Sequence, residues 1–69
     1  MTKLLTSDRG LSLGFRVRKR RVTRMITRQE LARTAGVSCE EVDLLEHNLP
    51  LRLPAKLSIL RVLWANNAG

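Results

Sequence analysis

Apolar and polar positions along this chain fall into four short runs with the helical period, separated by turn residues. From Ser12 to about Arg24, Leu13 and Val17 form an inner line, with Phe15 and Val22 on a neighbouring one, so this segment predicts a first helix capped by Ser12. Arg21 continues the inner line four residues after Val17, where an ordinary surface arginine is out of place and a partner is predicted. Thr27 followed by Glu30, and Ser38 followed by Glu41, are capping-box pairs that mark two further helix starts eleven residues apart. Leu31, Ala35, Val37, Val42 and Leu45 fill the inner positions of this pair. Gly36 ends the first helix, where the turn needs φ > 0, and the second runs from Ser38 to about His47. Asn48 suits the left-handed conformation that closes a helix. A loop with Pro50 and Pro54 follows. The last helix is predicted from about Ala55 to Ala65, with Leu57, Leu60, Val62, Leu63 and Trp64 available for packing.

Glu46 repeats the oddity of Arg21: it follows Val42 by four residues and lies on the inward side of its own helix. Two opposite charges on two apolar faces predict one buried pair, because pairing lowers the desolvation penalty of each. Residues 1 to 11, with Thr6, Ser7, Asp8 and Gly10, show no sustained period and read as a flexible lead-in. The domain is then expected over residues 12 to 66, with 67 to 69 as a tail.

A length of 69 residues bounds this to one small domain, and the predominance of aliphatic side chains, with Phe15 and Trp64 the only aromatics, favours an all-α bundle over a β-sandwich or barrel. The single cysteine, Cys39, has no internal disulfide partner, which points to a reducing cytoplasm. No apolar run approaches the length of a membrane span, and the start of the chain lacks the features of a signal peptide. His47 is the only histidine, and no nucleophile, acid and base stand at a recognisable spacing, so neither an enzyme nor a cofactor is expected. Cys39 and His47 are two ligands at most and do not make a metal site.

Charge changes the picture through its placement. The net charge is +7, but residues 1 to 37 hold ten Lys/Arg against Asp8 and Glu30, giving +8. Residues 38 to 69 hold three, Arg52, Lys56 and Arg61, against four acids, giving −1. A basic first half, richest in Arg16, Arg18, Lys19, Arg20, Arg21 and Arg24, suits a polyanion, with a solvated cationic helix face as the plainer reading.

From Thr27 to Glu46 the residue types fall where a helix-turn-helix unit needs them. Counting from Arg28, the small Ala32 is fifth, where a bulky side chain would hold the two helices apart, and Gly36 is ninth, at the turn. With Thr27, Arg28, Gln29, Glu30, Leu31, Ala32, Arg33, Thr34, Ala35, Gly36 and Val37, continuing through Ser38 to Glu46, the chain resembles the Cro/repressor (Xre) family of helix-turn-helix regulators. The resemblance covers roughly Leu13 to Leu63 without a gap. It implies a lambda-repressor-like compact bundle of four or five helices, of which this chain supplies four. It also implies double-stranded DNA as partner, a homodimer on a palindromic site, and a role in transcription regulation. An arginine on the first helix paired with a glutamate ending the reading helix, as in many relatives, matches Arg21 and Glu46.

Carried over by position, the resemblance implies phosphate contacts from Thr27, Arg28, Gln29 and Arg52, and base-facing positions at Ser38, Cys39, Glu40, Asp43 and Leu44. The departure is chemical. The reading helix carries Glu40, Glu41, Asp43 and Glu46 and no Lys or Arg. Acids accept from cytosine N4 and Leu44 suits a thymine methyl, but acids are disfavoured near phosphates. The competing reading is therefore a protein-interaction or self-association module on the same fold, using the acidic third helix and Leu49, Leu51 and Leu53 of the following loop. In that loop, ordinary packing is expected for at least two of the three leucines. A third, a basic helix on RNA or an anionic membrane, is weakened by having no aromatic for stacking beyond Phe15.

Overall fold

The computed structural model describes residues 11–65. Four helices follow in order: α1 Leu13–Thr23, α2 Arg28–Ala35, α3 Cys39–Glu46 and α4 Leu53–Trp64. The described residues contain no strand, so the fold is all-α. The lead-in expected over residues 1 to 11 lies outside the described residues apart from Leu11, as does the tail at 67 to 69.

Each of the first three helices starts at a hydroxyl side chain that takes an otherwise orphaned amide. Ser12 Oγ accepts from Phe15 N at 3.1 Å. At α2, Thr27 Oγ1 accepts from Glu30 N at 3.0 Å while Thr27 N donates to Glu30 Oε1 at 2.8 Å. The same reciprocal box closes at 3.0 Å in both directions between Ser38 and Glu41.

The three helices also end alike. Left-handed residues stand at Met25 (φ 58°), Gly36 (φ 74°) and Asn48 (φ 59°). After each, an amide reaches five residues back: Ile26 N to Arg21 O, Val37 N to Ala32 O, and Leu49 N to Leu44 O. This is the Schellman closure, which satisfies carbonyls the helix leaves free. Met25 gives no sequence signal for it, since an unbranched side chain adopts φ > 0 only when the surroundings enforce it.

α4 departs from expectation by starting at Leu53 rather than Ala55. Pro54 falls in its first turn, where the missing amide hydrogen would have had no acceptor, so proline belongs to the helix and not to the loop. The helix ends at Trp64, one residue earlier than expected.

The core joins Val17 of α1, Leu31 and Ala32 of α2, Val42 and Leu45 of α3, and Ile59 and Leu63 of α4. α3 packs against each of the other three helices. Two expected packing lines are corrected. Phe15 (47 % exposed) and Val22 (56 %) face outward, because the buried face of α1 is Gly14, Val17 and Arg21, about half a turn away. On α4 the buried face is Ala55, Ile59 and Leu63; Leu57 and Trp64 are exposed, and Leu60 and Val62 only flank the core.

Candidate functional site

Most of the residues singled out by the sequence gather at the corner of α2 and α3. Thr27, Arg28 and Gln29 are exposed at the start of α2. Ser38, Cys39 and Glu40 are exposed at the start of α3, whereas Asp43 and Leu44 are half-buried. Arg52 is exposed at the start of α4.

Beneath this corner lies the ion pair. Arg21 Nε donates to Glu46 Oε2 at 2.6 Å and its NH2 group donates to Oε1 at 3.3 Å. The two side chains are 10 % and 1 % exposed, so both charges are largely withdrawn from water. Arg21 NH1 donates onward to the Ile26 carbonyl at 2.9 Å, which uses a further part of the guanidinium and braces the turn between α1 and α2. A bidentate arginine with a third donor bonded to a carbonyl is the arrangement in which a buried pair is tolerated.

Arg28 joins the same carboxylate, which sequence spacing gave no reason to expect. Its Nε donates to Glu46 Oε1 at 3.2 Å and lies 3.9 Å from Asp43 Oδ1. Asp43 in turn has His47 Nδ1 at 3.4 Å from its Oδ1, and the same nitrogen sits 2.8 Å from the Asp43 carbonyl. Glu41 does two jobs: Oε1 completes the α3 cap and Oε2 accepts from Arg52 Nε at 2.8 Å. Three of the four α3 acids therefore have a cation within ion-pair distance, and among the described residues Glu40 alone does not. The acidity of the helix is largely neutralised from within the fold.

Compared with protein-family models, curated proteins and solved structures, the chain matches none. Its own geometry carries the functional reading.

The arginines named for phosphate contact are thus engaged. Both bonds leave from Nε, however, and a guanidinium has five donors, so the terminal amino groups of Arg28 and Arg52 remain for another acceptor. Arg28 is 43 % exposed, enough to reach one.

The hydrogen bond from Arg52, followed by that from the Ser38 amide, holds the Glu41 carboxyl below the usual carboxylate range. The Arg52 guanidinium is correspondingly held above its usual range by Glu41. A depressed carboxylate contributes stability above its unfolded pKa and loses it as pH falls through the folded value. Glu41→Gln keeps the amide oxygen for the cap and removes the ion pair. Its melting temperature is expected to fall slightly below the parent's at neutral pH and to converge with it as pH drops beneath the ordinary glutamate range. Thermal melts from pH 7 to 3 check this, and a gap that widens on acidification would contradict it.

The unpaired positive charge collects elsewhere. Arg16, Lys19, Arg20 and Thr23 of α1 line a cleft of about 200 Å³ whose remaining wall is Trp64 of α4. Arg20 Nε and Arg24 NH1 donate to the Leu63 carbonyl at 3.0 and 2.8 Å, placing two cations at the negative end of α4. The Arg20 guanidinium carbon lies 5.3 Å from the centre of the Trp64 ring, within cation–π range.

The loop after α3 also departs from expectation. Only Leu51 packs against the core; Leu49 is exposed in the loop and Leu53 is exposed on the first turn of α4. No described helix is long and apolar enough to cross a membrane.

Proposed function

We propose that this chain is a helix-turn-helix DNA-binding domain of the Cro/repressor kind, a non-enzymatic cytoplasmic regulator of transcription. The observation that carries the reading is the α2–α3 corner. Two capped helices meet across a left-handed glycine with Ala32 buried at the crossing, leaving the first turn of α3 in solvent. Thr27, Arg28, Gln29 and Arg52 contact phosphates, while Ser38, Cys39, Glu40, Asp43 and Leu44 meet base edges in the major groove. Neutralisation of Glu41, Asp43 and Glu46 by neighbouring cations supports this assignment, because it removes most of the repulsion that an acidic helix would feel between phosphate strands. Glu40 is the free acceptor, and its natural base partner is cytosine N4.

Selection of duplexes from a random library near physiological salt tests the reading. The expected result is an enriched, palindromic site with cytosine at the position facing Glu40 and an affinity that falls steeply with salt. Arg28→Ala then weakens all duplexes and reduces the magnitude of the log–log salt slope by about 0.9, the value for one phosphate contact. Failure to enrich any sequence would overturn the reading.

A protein-interaction or self-association role on the same fold is the second reading, favoured by the exposure of Leu49, Leu53 and Leu57. Self-association that persists at high salt, measured by sedimentation, would select it, since phosphate contacts fade there and apolar ones do not.

A further inference from the structure

The cleft between α1 and the end of α4 shares no residue with the corner just described. We infer that it binds single-stranded nucleic acid, with Arg16, Lys19 and Arg20 on the phosphates and Trp64 as a platform for an unpaired base.

The first ground is charge. Arg16, Lys19 and Arg20 stand three and four residues apart on one face of α1, where like charges repel. α1 contains no acid, and among the described residues none of these three cations has an ion-pair partner. None of the described acids pairs with these cations: Glu30 closes the α2 cap, Glu41, Asp43 and Glu46 pair with other cations, and Glu40 has no cation within ion-pair distance. This face therefore holds a concentrated positive potential that a polyanion neutralises.

The second ground is shape and aromaticity. The basic segment by itself offered no aromatic for stacking beyond Phe15, but folding brings the end of α4 to its side and supplies Trp64. Arg20 lies over this ring and is fixed by its bond to the Leu63 carbonyl, leaving its terminal amino groups for a phosphate. A cleft of about 200 Å³ is too small to enclose a drug-sized ligand, for which pockets of ~300 Å³ or more are usual. It suits a strand lying across it, with a phosphate and a base engaged together. Alternating cations and an aromatic face are the elements with which proteins hold unpaired strands without reading their sequence. A duplex could satisfy the cations but keeps its base faces stacked inside, out of reach of Trp64.

Trp64 is the only tryptophan, so its fluorescence reports on the cleft directly. The full chain is titrated with ten-nucleotide oligo(dT) and oligo(rU), with a ten-base-pair duplex, and with inorganic tripolyphosphate as a charge-only probe. Both single strands are expected to quench Trp64 and to bind more tightly than tripolyphosphate, with a log–log salt slope near −2 for three phosphate contacts at about 0.7 each. The Arg16→Ala, Lys19→Ala double variant, altered only at exposed side chains, should keep its helical circular dichroism while the slope shrinks to about −0.7. Trp64→Ala, read by anisotropy of a labelled strand, should weaken binding roughly tenfold. Unchanged fluorescence, an equal response to strand, duplex and tripolyphosphate, or a double variant that keeps the parent's affinity and salt slope would each overturn the inference. Because α3 is not involved, loss of duplex selection at the α2–α3 corner leaves these outcomes intact.

Discussion

Glu46→Leu is expected to destabilise the protein by ~3–5 kcal/mol, the range for leaving one member of a buried pair uncompensated. Domains of this size have only ~3–5 kcal/mol in hand, so the variant should be largely unfolded at room temperature. The loss follows from what remains: Arg21, 10 % exposed, keeps only the Ile26 carbonyl as an acceptor. Arg21→Met should be milder. Its carboxylate partner retains Arg28 Nε at 3.2 Å, a second cation already in place. The pair is thus asymmetric, and the glutamate is the member the fold cannot lose.

Combining Arg21→Met with Glu46→Leu should recover most of the loss, because two apolar side chains of similar volume replace two desolvated charges. Adding Arg28→Ala to Arg21→Met should do the opposite and bring that variant down to the level of Glu46→Leu. Urea unfolding followed by circular dichroism, with an excluded osmolyte to bring the weakest variant onto scale, gives all four values. Equal losses for the two single variants would show that Arg28 contributes nothing at this site. A double variant no better than Glu46→Leu would show that the charges do not depend on each other.

What could be read from the sequence was what is decided within a few residues. The caps at Ser12, Thr27 and Ser38 and the left-handed Gly36 and Asn48 stand where expected, since each is a hydrogen bond or a dihedral set by its immediate neighbours. Arg21 and Glu46 were legible for a different reason: a charge in an apolar line contradicts its surroundings, and two opposite contradictions suggest each other. The partners of Arg28 and Arg52 were not legible, because which carboxylate an exposed arginine reaches depends on how the helices cross. The face of α4 was ambiguous for a further reason. Leu53, Leu57, Leu60 and Trp64 form an apolar stripe beside the buried Ala55, Ile59 and Leu63, and a helix apolar on two sides carries no periodic signal for which side packs. The same ambiguity hid the approach of Trp64 to α1, and with it the aromatic wall of the cationic cleft.

Gly14 gave no sequence signal either, yet it governs how closely α1 and α3 approach. At an exposed helix position Gly→Ala raises stability by ~1 kcal/mol through propensity. Here the sign should reverse. A Cβ on Gly14 would stand 2.6 Å from the Leu45 carbonyl oxygen and closer still to that of Glu46. These are backbone atoms at the end of α3 and cannot rotate away, so the two helices would have to separate. Separation strains the Gly14 amide bond to Asn48 Oδ1, now 2.9 Å, and the Asn48 link to Ser12 Oγ at 3.1 Å that fastens the start of α1. It also pulls Arg21 from Glu46 across the same interface. Gly14→Ala is expected to lose ~2–3 kcal/mol by overpacking, in spite of the gain in propensity. For a domain of this size that lowers the melting temperature by roughly 10–20 °C. A rise in melting temperature would show that propensity prevails and that α1 and α3 do not meet this closely. Because the clash is with backbone, most of the cost of Gly14→Ala should persist in the Arg21→Met, Glu46→Leu background, falling only by the part that comes from pulling the charge pair apart.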